Sequence, residues 1–274
     1  MTVAAFTSQS TKLFTSQFTS SDGTRIGCAK AGAGPALVLV HGTAADHGRW
    51  APVLPALGER FTVYAADRRG RGASGDTPPY AMERELEDVA AVVDGIGEPV
   101  DLLGHSYGAL CALAAAPRAK NLRRLVLYEP QLPSGQPITP PGVLDRLQAL
   151  LDAGDRHGVV ATFMSEVVRV PAAQLERLRG LPAWRARVDA AATIPRELRA
   201  QDAYAFAADS VRDLAVPVLL LLGGASPPFF RAALERVQAA VPQAELVVLP
   251  GQTHVAMDTA PDLFAREVIA FLGR

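Results

Sequence analysis

Two hydrophobic patterns alternate along the chain. Short unbroken apolar runs, such as Ala36-Leu37-Val38-Leu39-Val40, are followed by longer segments whose apolar residues return every three or four positions. An unbroken run reads as a strand covered on both faces. The three-to-four spacing reads as a helix with one buried side. On this basis strands are expected at residues 36–40, 61–66, 100–103, 122–128, 216–222 and 244–249. Helices are expected at residues 50–57, 109–116, 229–241 and 261–272, and at 81–96, where Leu86, Val89, Ala90, Val93 and Ile96 keep helical spacing. Two further strands precede these, one from Phe18 and one at 25–30, joined by the turn Ser21-Asp22-Gly23-Thr24.

Strands alternating with helices predict a mostly parallel eight-stranded sheet with helices on both faces, an α/β fold. In such sheets ligands bind beyond the carboxyl ends of the strands. The alternation stops after Pro130. A Pro-rich linker occupies residues 132–141, and a helical stretch broken at Gly154, Gly158, Pro171, Pro182 and Pro195 follows with no strand pattern. It reads as an inserted cap. The expected organisation is a flexible arm at 1–17, a core at 18–130 and 211–274, and a helical cap at 131–210. In the arm, Phe6-Thr7-Ser8-Gln9 recurs as Phe14-Thr15-Ser16-Gln17, a duplication too short to be a structural repeat.

Composition narrows the function classes. The chain has 274 residues and a net charge of −1, so nothing points to nucleic acid or an anionic membrane surface. Cys28 and Cys111 fall in separate apolar segments and read as buried thiols. There is no secretory leader pattern and no apolar run long enough to span a bilayer. A cytoplasmic, soluble monomer or homodimer acting on a small molecule is expected, with no membrane or nucleic-acid partner. Gly32-Ala33-Gly34 lacks the strand-then-helix setting of a dinucleotide site. No metal-ligand spacing is present, so no cofactor or metal is expected.

The chemistry gathers at Gly104-His105-Ser106-Tyr107-Gly108, between an apolar run and an Ala-rich helix. Strand, sharp turn and helix is the setting that holds a serine hydroxyl out at a sheet tip. Glycines at 104 and 108 suit the close approach of the facing backbone. The helix N-terminus behind Ser106 favours negative charge.

With His41-Gly42, the Asp67 to Ser74 stretch (Asp-Arg-Arg-Gly-Arg-Gly-Ala-Ser) and Gly251-Gln252-Thr253-His254, the chain resembles the α/β-hydrolase fold enzymes of the capped, lipase- or esterase-like kind. The resemblance runs from about residue 18 to the end, with nucleophile, acid and histidine in that order. It implies Ser106 as nucleophile. A serine hydroxyl needs a base within hydrogen-bond reach. Of the five histidines, His41 and His105 read as loop braces, and His47 and His157 could touch substrate. His254, beyond the last strand, is assigned as base and then acid.

The family often carries its acid after the strand that follows the cap, but Gly223-Gly224-Ala225-Ser226-Pro227 holds no carboxylate. The family's other position, just before the cap, holds Glu129. It is expected to orient His254; the alternative is a solvated hinge residue beside a Ser–His dyad. The oxyanion donors are expected to be the Tyr107 N–H and, by resemblance, the Thr43 N–H. The three arginines after Asp67 could bind an anion, but read rather as a turn held by carboxylates and carbonyls. Phe163, Met164, Trp184, Tyr204 and Phe206 could line a pocket or pack the cap.

The expected activity is hydrolysis of a small to medium apolar carboxylic ester through an acyl-enzyme. A thioesterase, lactonase or carbon–carbon hydrolase with the same triad, a biosynthetic cyclase or acyltransferase, and a hydrolase-fold binding protein are the alternatives. Serine at the elbow argues against the dehalogenase and epoxide hydrolase branches, which by resemblance use aspartate.

Overall fold

The computed structural model describes residues 14–132, 137–180 and 183–274. The first copy of the N-terminal repeat, the middle of the Pro-rich linker and the break at Pro182 lie outside them.

Eight strands form one sheet: β1 (Phe14–Thr19), β2 (Arg25–Ala31), β3 (Ala36–Val40), β4 (Thr62–Ala66), β5 (Val100–His105), β6 (Leu122–Tyr128), β7 (Val218–Gly223) and β8 (Glu245–Leu249). Their order is β1-β2-β4-β3-β5-β6-β7-β8. β1 and β2 run antiparallel to their neighbours, and β3 to β8 are parallel. β1 begins at Phe14, so residues 14–17, expected in the arm, are strand. Its Thr, Ser and Gln side chains give no apolar signal. Pairing with β2, Gln17 opposite Gly27 and Phe18 opposite Ile26, defines it instead.

Helices α1 (Leu54–Gly58), α2 (Met82–Gly95), α3 (Tyr107–Ala115), α9 (Pro228–Ala240), α10 (Ala256–Thr259) and α11 (Pro261–Leu272) belong to the sheet layer. The expected helix at 50–57 is two pieces, a tight turn at His47–Trp50 and then α1. Pro52 and Pro55 lack the N–H groups a continuous helix would use there.

The two sheet faces split the strand residues by alternation. Val38, Val40, Leu102, Leu125, Leu127 and Leu220 join α2, α3 and α9 in one apolar cluster. Leu37, Leu39, Leu103, Val126, Tyr128 and Leu221 join α11 in the other. Every residue of β3, β5 and β7 is buried, which explains the unbroken apolar sequences of β3 and β7 and the apolar run of β5 around its buried Asp101.

Between β6 and β7 stand α4 (Val143–Asp152), α5 (Arg156–Thr162), α6 (Ala172–Arg179), α7 (Ala183–Asp189) and α8 (Ile194–Ala203). They share a cluster of their own, with Val143, Leu147, Val160, Phe163, Trp184 and Leu198 at its centre, and Ala44 as a contributor from the sheet layer. Phe163, Met164 and Trp184 therefore pack the insertion on itself, while Tyr204 and Phe206 pack against the sheet.

Candidate active site

Ser106 has φ 58° and ψ −122°, in the left-handed half of the map that a non-glycine residue rarely occupies. The strain is held from several sides. Its N–H donates to Tyr128 O at 3.0 Å, and its carbonyl accepts from Ala109 and Leu110 at 3.0 and 3.1 Å. A Cβ on Gly104 would lie 2.5 Å from Gly108 O, and one on Gly108 2.3 Å from Val40 O. Either alanine substitution should destabilise the protein by about 1–3 kcal/mol, the usual range for overpacking, read as a lower urea midpoint. An unchanged midpoint would show that the turn can open.

The registers of β5, β6 and β7 bring Ser106 and Glu129 to one edge, with His105 opposite Tyr128 and Tyr128 opposite Leu221. Glu129 is fully buried, with φ 46°. Its Oε1 accepts the Gly223 N–H at 2.7 Å, and its Oε2 faces His254 Nδ1 at 2.6 Å. A buried carboxylate with partners on both oxygens is not a solvated hinge residue. The Gly223 loop, which lacks an acid of its own, supplies the N–H that fixes one.

The His254 ring lies between two others. Phe230 of α9 stacks on it with centroids 4.3 Å apart, and His105 lies 4.5 Å away on a tilted plane. The His105 Nε2 donates to His254 O at 2.8 Å, and the Tyr128 hydroxyl donates to Thr253 O. Sequence reasoning missed Phe230, although Phe229-Phe230 directly follows the Gly-Pro loop beyond β7. Among the described residues no hydrogen bond joins the Ser106 hydroxyl to His254. The Glu129–His254 contact is closed, while the side of the ring facing Ser106 carries no bond to it.

Gly42 closes over the serine: a Cβ there would lie 2.9 Å from Ser106 Cβ and 3.4 Å from its Oγ. Its carbonyl faces His41 Nδ1 at 2.8 Å, while His41 Nε2 accepts the Arg68 N–H at 3.3 Å. These partners make His41 a neutral ring with its proton on Nδ1. Among the described residues, the N–H groups of Thr43 and Tyr107 have no acceptor in the protein, and the Thr43 hydroxyl is buried without a partner. The Tyr107 side chain points elsewhere. Its hydroxyl meets Tyr80 at 3.0 Å and Met82 Sδ at 3.3 Å.

The arginines after Asp67 are held as expected. Arg68 forks onto Glu85 at 3.0 and 2.6 Å and reaches Glu197 of α8 at 3.1 Å. Arg69 forks onto Asp88 at 2.7 Å through both nitrogens. Arg71 pairs with Glu197, and burial together with the Arg68 cation pushes it down to about 9. Burial pushes Glu85 up, but Arg68 more than reverses this and holds it below the usual carboxylate range. His47 bonds Asp67 at 2.9 Å, and His157 accepts from Trp184 at 3.0 Å inside the insertion.

Burial holds His41 and His105 well below the ordinary histidine value, with nearby cations adding to the effect. The unfolded chain therefore binds more protons than the folded one, about one more at pH 6.5 and approaching two by about pH 5.5. Stability should rise with pH there, and should fall by about 2 kcal/mol from pH 6.5 to 5.5. Asp67 raises His47 instead, so its contribution is nearly complete at the acid end of that window and is lost as pH rises, opposing the slope only weakly. Urea midpoints across the window test this; flat midpoints would contradict it.

Among the described residues no His, Cys, Asp and Glu cluster could hold a metal, and no helix is long and apolar enough to cross a membrane.

A single sheet covered by helices on both faces, with a serine at its β5 elbow, a late histidine and helices inserted after β6, defines the α/β-hydrolase architecture. Residues 37–267 match the alpha/beta hydrolase family, and the chain belongs to it. The chain is 28% identical over 259 residues to 2-(acetamidomethylene)succinate hydrolase of Mesorhizobium japonicum, spanning 88% of this chain and 89% of that protein. It is 39% identical over 115 residues to N-formylmaleamate deformylase of Pseudomonas putida, spanning 40% of this chain and 41% of that protein. The crystal structure of an alpha/beta hydrolase from Sphaerobacter thermophilus superposes with a TM-score of 0.82 at 36% identity, covering 94% of this chain and all of that one. The protein is thus placed among hydrolases by fold and by relatives.

Proposed function

We propose that this protein is a serine hydrolase that cleaves a carboxylic ester through an acyl-enzyme, with Ser106 as nucleophile, His254 as base and then acid, and Glu129 as the orienting acid. The observation that carries the reading is the closed Glu129–His254 pair at 2.6 Å beside the strained Ser106 elbow. Ser106 Oγ attacks the carbonyl carbon while His254 takes its proton, and Glu129 stabilises the imidazolium. The oxyanion settles between the N–H groups of Thr43 and Tyr107. Collapse expels the alcohol, protonated by His254. Water then repeats the sequence on the acyl-serine and releases the acid.

A second reading is favoured by the names of two relatives, a 2-(acetamidomethylene)succinate hydrolase and an N-formylmaleamate deformylase. The same groups would then open an N-acyl bond, with His254 protonating a nitrogen. Either way the helices of the insertion act as a cap over the carboxyl edge of the sheet.

A fluorophosphonate should label Ser106, and p-nitrophenyl esters of graded chain length should turn over. N-acyl and N-formyl substrates, with thioesters and lactones, complete the panel. Labelling with faster N-acyl than ester turnover selects the second reading. No labelling overturns both.

A further inference from the structure

Arg68 stands next to the proposed site without touching any of the three reacting side chains. It is 3% exposed and carries three kinds of partner. Two carboxylates, Glu85 and Glu197, hold its guanidinium from opposite elements, α2 and α8. Its Nη1 reaches Gly42 O at 3.4 Å, and its plane lies 4.4 Å from the centroid of the Tyr107 ring.

The geometry of the peptide unit gives these contacts a consequence. The Gly42 carbonyl and the Thr43 N–H belong to one planar trans unit and point in opposite directions. Fixing the carbonyl on Arg68 and His41 fixes the N–H on the other side. A cation hydrogen-bonded to that carbonyl also polarises the unit and strengthens the N–H as a donor. The second donor, the Tyr107 N–H, belongs to a residue whose ring is braced by the same guanidinium. From these contacts we infer that Arg68 is the positioning residue of the oxyanion site, aligning both backbone donors from behind and polarising one of them. Glu197 extends the brace to the inserted helices, so the placement of α8 is felt at the oxyanion. This inference rests on the proposed serine mechanism.

The test uses the full chain. Arg68→Met removes the donors and the charge at similar length, and Arg68→Lys keeps the charge but loses the fork. Arg68→Ala leaves a space for added ethylguanidinium. Expected for Arg68→Met is a fall in kcat of about 10- to 100-fold with KM within about twofold, less than the loss of an entire donor. Affinity for phenylboronic acid, which places an oxyanion on Ser106, should fall by the same factor. Arg68→Lys should lie between Arg68→Met and the parent, and ethylguanidinium should restore part of the Arg68→Ala activity. A fall in kcat with unchanged boronate affinity, or a rise in KM alone, overturns the inference. If the Arg68 variants do not fold, Glu197→Gln loosens the guanidinium without deleting it; kcat and boronate affinity should then drop together by about 3- to 10-fold, and no change in either overturns the inference. Absence of fluorophosphonate labelling in the parent protein would instead count against the serine mechanism itself.

Discussion

Ser106→Ala removes turnover, by about 10⁴- to 10⁶-fold in kcat/KM, with the fold intact. The expected loss is this large because in the proposed mechanism the hydroxyl oxygen forms the covalent intermediate, and no neighbouring group can replace it. Elbow strain is retained, since alanine at φ 58° meets the same backbone limits as serine. The unfolding midpoint should therefore move little, which separates lost chemistry from lost structure. Fluorophosphonate labelling should vanish in parallel. A variant retaining more than about a hundredth of the parent rate would place the nucleophile elsewhere or replace covalent catalysis with direct attack by water.

Glu129→Gln comes next, with an expected fall in kcat of about 10³- to 10⁴-fold, as for the equivalent amide change in serine proteases. The amide can still accept the Gly223 N–H through its oxygen. Its NH₂ would then face His254 Nδ1, a nitrogen that now carries the proton. The imidazole must move its proton to Nε2, which can no longer take one from Ser106, or break the contact. Glu129→Asp keeps the charge one methylene too short and should fall between the two. Because Glu129 is fully buried at a positive φ, both variants need a parallel measurement of stability. Full turnover in Glu129→Gln would leave a Ser106–His254 dyad as the working unit.

What could be read from the sequence depended on how local each signal was. The buried strands announced themselves because β3 and β7 are covered on both faces and so are apolar throughout, and β5 is apolar apart from its buried Asp101 and terminal His105. The elbow was legible because strand, glycines and helix are consecutive in the chain. β1 was misjudged because its strand character comes from pairing with β2, not from its own Thr, Ser and Gln residues. The helix at 50–57 failed where two prolines outweighed apolar spacing. Glu129 could be chosen only by comparing two loops and finding one of them empty of acid. That loop's actual contribution, the Gly223 N–H on Oε1, joins residues 94 positions apart and leaves no local trace. The same holds for Phe230 against His254, and for Glu197 between Arg68 and Arg71. Partners of that kind are set by tertiary packing.

The separate apolar cluster of the inserted helices has a consequence for remodelling the molecule. Its greasy interior closes on itself, whereas its polar seam with the sheet layer includes Arg196 with Asp76, Gln201 with Gln131, and Glu197 with two arginines. A transplant of residues 143–203 from another hydrolase therefore has few shape constraints to satisfy along that seam, but must bring an acid to the place of Glu197. Without it, Arg71 would lose its carboxylate beside the buried Arg68 cation, which Glu85 would still hold, and the graft would fail at its charges before it failed at its packing.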